Sequence, residues 1–167
     1  IYTNWAHYLD PILHPAFTGN GRHLQTRNFN EDVDISVLTN DFMDVVLRTM
    51  YIPKDVLSGL EWSVYEICDN VLNHGSANFG GYIEAFTFLK EEKICFTVAD
   101  GGKGILNSLK EGFPNLENCS TAIQEALKPG ITRNKSAGQG NGLAGSSRIT
   151  TMTGGSIDIT SGTGRGI

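Results

Sequence analysis

The sequence predicts an α+β sandwich, a sheet covered on one face by helices, and three observations carry that prediction. Residues 41–74 hold two apolar stripes at helical spacing. Residues 82–99 hold two alternating segments on either side of a Glu-Glu pair, and shorter helical segments with one last alternating stretch complete the chain. The 167 residues and 18.1 kDa are the size of one domain. At that length folding buries roughly 68–70% of the surface the unfolded chain exposes, enough for stability without a disulfide or a structural metal.

Residues 1–30 mix aromatic and polar side chains between Pro11, Pro15, Gly19 and Gly21, with no sustained period. They read as an irregular arm with at most one short helix; the arm is extended to residue 35 and the folded domain is assigned to 36–167. In residues 41–50, Phe42, Val45, Val46 and Met50 recur at helical spacing, and Pro53 ends the run. A stronger helix starts near Lys54, where Leu57, Leu60, Val64, Ile67, Cys68 and Val71 form one stripe, and it stops at Gly75. Residues 82–90 and 93–99 read as antiparallel strands: Ile94, Phe96 and Val98 alternate with Cys95 and Thr97, and Glu91 and Glu92 make the turn. Beyond Asp100, residues 105–109 and 121–127 look like short helices, and 128–139 is a polar loop. A helix over 141–152 breaks at Gly154 and Gly155, and 156–160 alternates as a final strand. The chain begins at Ile1 and stops inside a glycine-rich turn, so it is expected to be part of a longer polypeptide, with the C-terminal end of the domain truncated.

Composition narrows the function classes. The net charge is −5, the pI is near 5.3, and no block of Lys and Arg stands out, which argues against nucleic-acid binding. A hydrophobic content of 40% with a mean hydropathy of −0.16 describes a globular chain, and no apolar run reaches the roughly 18 residues that span a bilayer. Cys68, Cys95 and Cys119 are odd in number, widely spaced and free of a CxxC pair, so they read as reduced thiols of a cytoplasmic protein, with Cys68 and Cys95 buried. The four histidines form no HxxxH or HExxH pattern, which removes the usual zinc signatures.

Three local features can carry chemistry. On the strong helix Glu66 and Asn70 are four apart, with Asn73 near the same face, so a carboxylate and an amide stack on one side, away from the apolar stripe. A carboxylate can take a proton and an amide oxygen can hold Mg²⁺, although such a face is more often simply solvated. Next, Asp100, Gly101, Gly102, Lys103 and Gly104 follow a strand directly; an acid there, with glycines that let the backbone approach closely, can grip an amino-substituted base or can be a plain turn. Third, residues 138–145, GQGNGLAG, offer backbone N–H groups and a helix N-terminus to phosphate. The same glycines satisfy GxGxxG, but the polar stretch before them is no buried strand, which rejects a dinucleotide fold. There is also no GxxxxGK[ST] string and no HRD or DFG set.

Together these runs resemble a family. Residues 66–75, EICDNVLNHG, look like the N box of the GHKL ATPases, the gyrase, histidine-kinase and MutL relatives of the Bergerat fold. Asp100 to Gly104 resembles their G1 box, DxGxG; residues 138–143 resemble the G2 box, GxGxGL; and Gly154, Gly155, Ser156 and Ile157 resemble the glycine pair and strand that follow it. The match covers roughly residues 38–167, in family order. The resemblance implies a two-layer α/β sandwich with a mixed, mainly antiparallel sheet. It implies that Asn70 holds Mg²⁺ on the ATP phosphates, that Asp100 accepts from the adenine amino group, and that Gly102 and Gly104 make room for the base. Gly138, Gly140 and Gly142 would wrap the phosphates, with Leu143 fixing the helix behind them. Asn73, His74 and Asn141, inside the same boxes, and Ile105, directly after the G1 box, complete the nucleotide set. The segment between Gly104 and Gly138 would be a mobile lid, from which Arg133 or Lys135 reaches the γ-phosphate.

Within the superfamily, Glu66 four residues before Asn70 is similar to the anti-sigma-factor serine kinases, in which this carboxylate deprotonates the attacking hydroxyl. The expected function is transfer of the γ-phosphate to a Ser or Thr of a partner protein, such as an anti-anti-sigma-like protein, or regulation of a sigma factor, with a homodimer left open. A sensor histidine-kinase catalytic domain and an ATP-gated binding module without transfer are the alternatives. A sandwich with coincidental glycines stands further off.

Overall fold

The computed structural model describes residues 23–74, 80–131 and 142–166, the side chain of His74 excepted. The element order is β1 (His23–Phe29), α1 (Asp32–Leu47), α2 (Lys54–His74), β2 (Gly81–Phe88), β3 (Lys93–Asp100), α3 (Gly104–Leu109), α4 (Cys119–Ala126), α5 (Gly142–Met152), β4 (Ile159–Ser161) and β5 (Gly164–Gly166). Strands β1, β2 and β3 form one sheet in that order, β4 and β5 a second, and every pairing among the described residues is antiparallel. This is the expected α+β architecture, with α1 and α2 packed on the larger sheet.

The hairpin follows from its own sequence. Ile83 pairs with Val98 and Ala85 with Phe96, so the apolar sets of both strands share one face. That face meets Phe42 of α1, whose ring packs edge-on against Phe96 at 5.7 Å. The core gathers Leu24 and Phe29 of β1, Ile35, Leu38, Phe42 and Val46 of α1, Val64, Cys68 and Val71 of α2, and Ile83 and Ala85 of β2. The central strand β2 is buried on both faces, since Glu84 and Phe86 are also buried; His23 stacks on Phe86 at 4.2 Å and bonds Glu84 through Nε2 at 2.8 Å.

Four expectations need correction. The arm assigned to residues 1–35 enters the fold at residue 23, where β1 pairs with β2. Its burial follows no simple alternation, because the register shifts between Leu24 and Arg27 and only Leu24 and Phe29 are buried. The first helix starts at Asp32, not near Asp41: Asp34 Oδ2 accepts the backbone N–H groups of Asn30 and Glu31 at 2.8 and 3.1 Å and so caps the start. Cys95 is half-buried, since β3 has a partner on one side only among the described residues. The last strand starts at Ile159 and folds back on β5, because Gly162 at φ +59° closes a hairpin.

Helix α5 lies antiparallel along α2, and glycines set the separation. A Cβ at Gly59 would lie 3.2 Å from the Ile149 side chain, and one at Gly145 only 2.3 Å from the Trp62 ring. No helix among the described residues is long and apolar enough to cross a membrane.

Candidate functional site

On α2 the buried stripe Val64, Cys68 and Val71 faces the sheet, which turns the flanking residues Glu66 and Asn70 toward α5. They meet at its first residue: a Cβ on Gly142 would sit 3.0 Å from both Glu66 Oε2 and Asn70 Nδ2. A side chain at this position would press on the carboxylate and the amide, which glycine leaves undisturbed. The N-terminal N–H groups of an α-helix have no intrahelical acceptor, so the start of α5 turns backbone donors and the positive end of its dipole toward that pair.

Asn70 Nδ2 is buried and has no hydrogen-bond partner. An unmet buried amide costs about 1–3 kcal/mol and calls for an explanation. A bound polar ligand supplies one, and the amide oxygen of the same group is a hard donor suited to Mg²⁺. Glu66 holds its proton more tightly than an ordinary glutamate, first because it is partly buried and second because Asp69 lies nearby. Asn73, one turn on, is exposed and donates through Nδ2 to Asp69 Oδ1 at 2.7 Å.

The second cluster lies at the end of β3. Asp100 Oδ1 accepts the N–H of Gly102 at 2.7 Å, which fixes the carboxyl over the turn. Gly104 has φ +75°, a left-handed conformation that starts α3, and a Cβ there would lie 3.0 Å from Ser161 Oγ. Ser161 Oγ accepts the N–H of Ile105 at 2.9 Å and so ties the G1-like turn to β4. Ser161 carries no signal in the sequence, since nothing local links it to a residue 56 positions away.

A tertiary contact joins the clusters. Asp100 pairs with Gly81 across the hairpin, and a Cβ on Gly81 would lie 2.8 Å from Val71 Cγ1, the residue after Asn70. The structure thus brings together Glu66, Asn70 and Gly142, and joins Asp100 to the same helix through its pairing with Gly81, which packs on Val71. Leu143 is half-buried in the first turn of α5. Arg133, Lys135, Gly138, Gly140, Asn141 and the His74 side chain lie outside the described residues. The described part of the proposed lid holds α3 and α4, with Leu109, Ala122, Ile123 and Ala126 buried.

Residues 56–167 match the model of one family, the histidine kinase-, DNA gyrase B- and HSP90-like ATPases. No curated protein and no solved structure gives a significant match. The family match covers most of α2, the turn after β3 and α5, where the described candidate residues lie, so the chain belongs to the histidine kinase-, DNA gyrase B- and HSP90-like ATPases and is an ATP-binding domain of that family.

Proposed function

We propose that this domain binds ATP with Mg²⁺ and transfers the γ-phosphate to a Ser or Thr hydroxyl of a cytoplasmic partner protein, in the manner of an anti-sigma-factor kinase. The observation that carries the reading is the convergence of Glu66 and Asn70 on Gly142 at the start of α5. Asn70 would hold the Mg²⁺, which when bound offsets phosphate charge. Asp100, its carboxyl fixed by Gly102, orients the base by accepting from its exocyclic amine. Glu66 takes the proton of the attacking hydroxyl as the new O–P bond forms and the bond to the β-phosphate oxygen breaks. Its raised proton affinity suits that role at neutral pH. Arg133 or Lys135 supplies the cation at the γ-phosphate, and an anti-anti-sigma-like protein or a sigma factor is the class of partner this chemistry fits.

The test is labelling of extract proteins with γ-labelled ATP, beside thermal-shift titration with ATP and Mg²⁺. The wild type shifts upward, by roughly 2.7 kcal/mol at a ligand concentration of 100 Kd, and deposits acid-stable label, as a phosphoserine or phosphothreonine requires. Glu66→Gln keeps the shift and loses transfer by about 10²–10⁴-fold. Asp100→Asn weakens the shift itself. Undiminished transfer by Glu66→Gln, or acid-labile label, overturns the hydroxyl-transfer reading.

A further inference from the structure

Charge is unevenly placed along this chain. Residues 31–74 hold nine Asp and Glu against Arg48 and Lys54, a net −7, in a chain whose total is −5. That stretch is α1 and α2, so the acidity of the whole molecule is concentrated on its two long helices. Between them lies an open groove of about 380 Å³, lined by Thr39 and Asn40 from α1 and by Glu61, Trp62 and Tyr65 from α2.

The chemistry of the lining selects its ligand. Glu61 is exposed and takes part in none of the ion pairs among the described residues. Tyr65 lies one turn beyond it on the same helix face, beside Trp62, and both rings are more than a third exposed. Thr39, 95% buried, has a hydroxyl with no hydrogen-bond partner, an unmet polar atom in the lining. A carboxylate beside two aromatic faces matches a guanidinium or ammonium, which gains from the rings as well as from the acid. An anion is disfavoured by Glu61 and by the net −7 of the two helices that carry the groove, and the open form of the groove suits a chain segment more than an enclosed small molecule.

We propose that this groove docks a basic segment of a partner protein, with an Arg or Lys side chain held by Glu61 against Trp62 and Tyr65. The inference rests on the reading of the domain as one that acts on a partner protein, and it assigns that partner its place and its charge.

Trp5 and Trp62 are the two tryptophans, so in a Trp5→Phe background emission reports Trp62 alone. The probes are a tetra-arginine peptide and a tetra-glutamate peptide, titrated at low and at physiological salt. Tetra-arginine is expected to change the emission saturably, and tetra-glutamate to leave it unchanged. Glu61→Gln should weaken tetra-arginine about two- to fivefold and Glu61→Lys by about tenfold or more. Asp55→Asn, which removes a charge on α2 outside the groove, should change it less than about twofold. Equal losses from Glu61→Gln and Asp55→Asn mean diffuse attraction and overturn the proposal, as does an unsaturable titration. ATP-induced thermal shift, followed in every variant, verifies folding and separates the two claims. With the ATP shift present and no arginine binding, the groove fails alone. With arginine binding intact and no ATP shift, the kinase reading fails and the groove stands.

Discussion

The close approach of α5 to α2 can be tested through the sign of one substitution, Gly145→Ala. Alanine in a helix interior is normally the better residue, by about 0.8–1.0 kcal/mol. Here a Cβ would lie 2.3 Å from Trp62 Cη2 and 2.6 Å from Cζ3. Carbon atoms at rest sit roughly 3.5–4.0 Å apart, so between 1 and 1.5 Å, roughly, must be found by displacing α5 or turning the indole. Overpacking of this kind costs about 1–3 kcal/mol. The indole is 36% exposed and has some room to yield, which favours the lower half of that range. The net effect is a loss of about 0–1.2 kcal/mol, which at roughly 2–4 °C per kcal/mol lowers the melting temperature by up to about 5 °C.

The decisive comparison is a double-mutant cycle with Trp62→Ala, read by thermal and urea unfolding. Without the indole, Gly145→Ala should become stabilising by about the propensity difference, 0.8–1.0 kcal/mol. A gain in stability from Gly145→Ala in the wild-type background would refute the contact. ATP titration of the same variants tells which body moves. If α5 shifts, Gly142 leaves Glu66 and Asn70 and the ATP-induced shift falls with the melting temperature; if the indole rotates, ATP affinity is kept.

Two further predictions concern titration. Because partial burial and then the Asp69 charge raise the proton affinity of Glu66, the acid limb of phosphoryl transfer should lie above the ordinary glutamate value of 4.5, move down in Asp69→Asn and vanish in Glu66→Gln; a limb unchanged in both variants would assign it to another group. The same raised affinity favours the folded state below pH 4.5, and that contribution is lost as the pH rises through the folded-state value. Burial pushes the Cys68 thiol up to about 12, whereas hydrogen bonds from Thr163 hold Cys119 below the usual thiol range. Iodoacetamide at pH 8 should therefore modify Cys119 well before Cys68 in the native protein, an order lost on denaturation and read by peptide mapping. Equal native rates would contradict the burial of Cys68. Above pH 9 the unfolded thiol ionises while Cys68 stays protonated, so its contribution to stability falls as pH rises toward 12.

What the sequence made legible was local. The α2 stripe, the hairpin with its Glu91–Glu92 turn and the order of the glycine runs all follow from spacing within a few residues. The missed features depend on partners far along the chain. Strand β1 shows no alternation because a register shift interrupts it and its middle residues are exposed. The first half of α1 carries Ile35, Val37 and Thr39, β-branched residues that favour strands, and the cap at Asp34 and the core packing outweigh that preference. The bond from Ile105 to Ser161, the packing of Gly145 on Trp62 and the groove between α1 and α2 exist only once the helices are assembled. Within the site, the residues in the boxes were legible and the contacts that support them were not.

The three faces of α2 make those contacts matter for chemistry. Val64, Cys68 and Val71 anchor it to the sheet, Glu61 and Tyr65 line the groove, and Gly59, Trp62, Glu66 and Asn70 form a row at spacings of three and four that runs along α5. In reverse order on α5, Ile149 meets Gly59, Gly145 meets Trp62, and Gly142 meets Glu66 and Asn70. At each step one partner is glycine, so a side chain of one helix packs directly on the backbone of the other, and the row as a whole bears on how near the start of α5 lies to the carboxylate. Trp62 belongs both to this row and to the groove. A cation stacked on its exposed face therefore bears on the ring that holds Gly145 in place, one helical turn from Gly142. Trp62→Leu, which keeps apolar bulk but loses the ring face, should therefore weaken both arginine binding, read by calorimetry because the fluorescent reporter is gone, and the ATP-induced thermal shift; lost arginine binding with an unchanged ATP shift would refute a link through the indole.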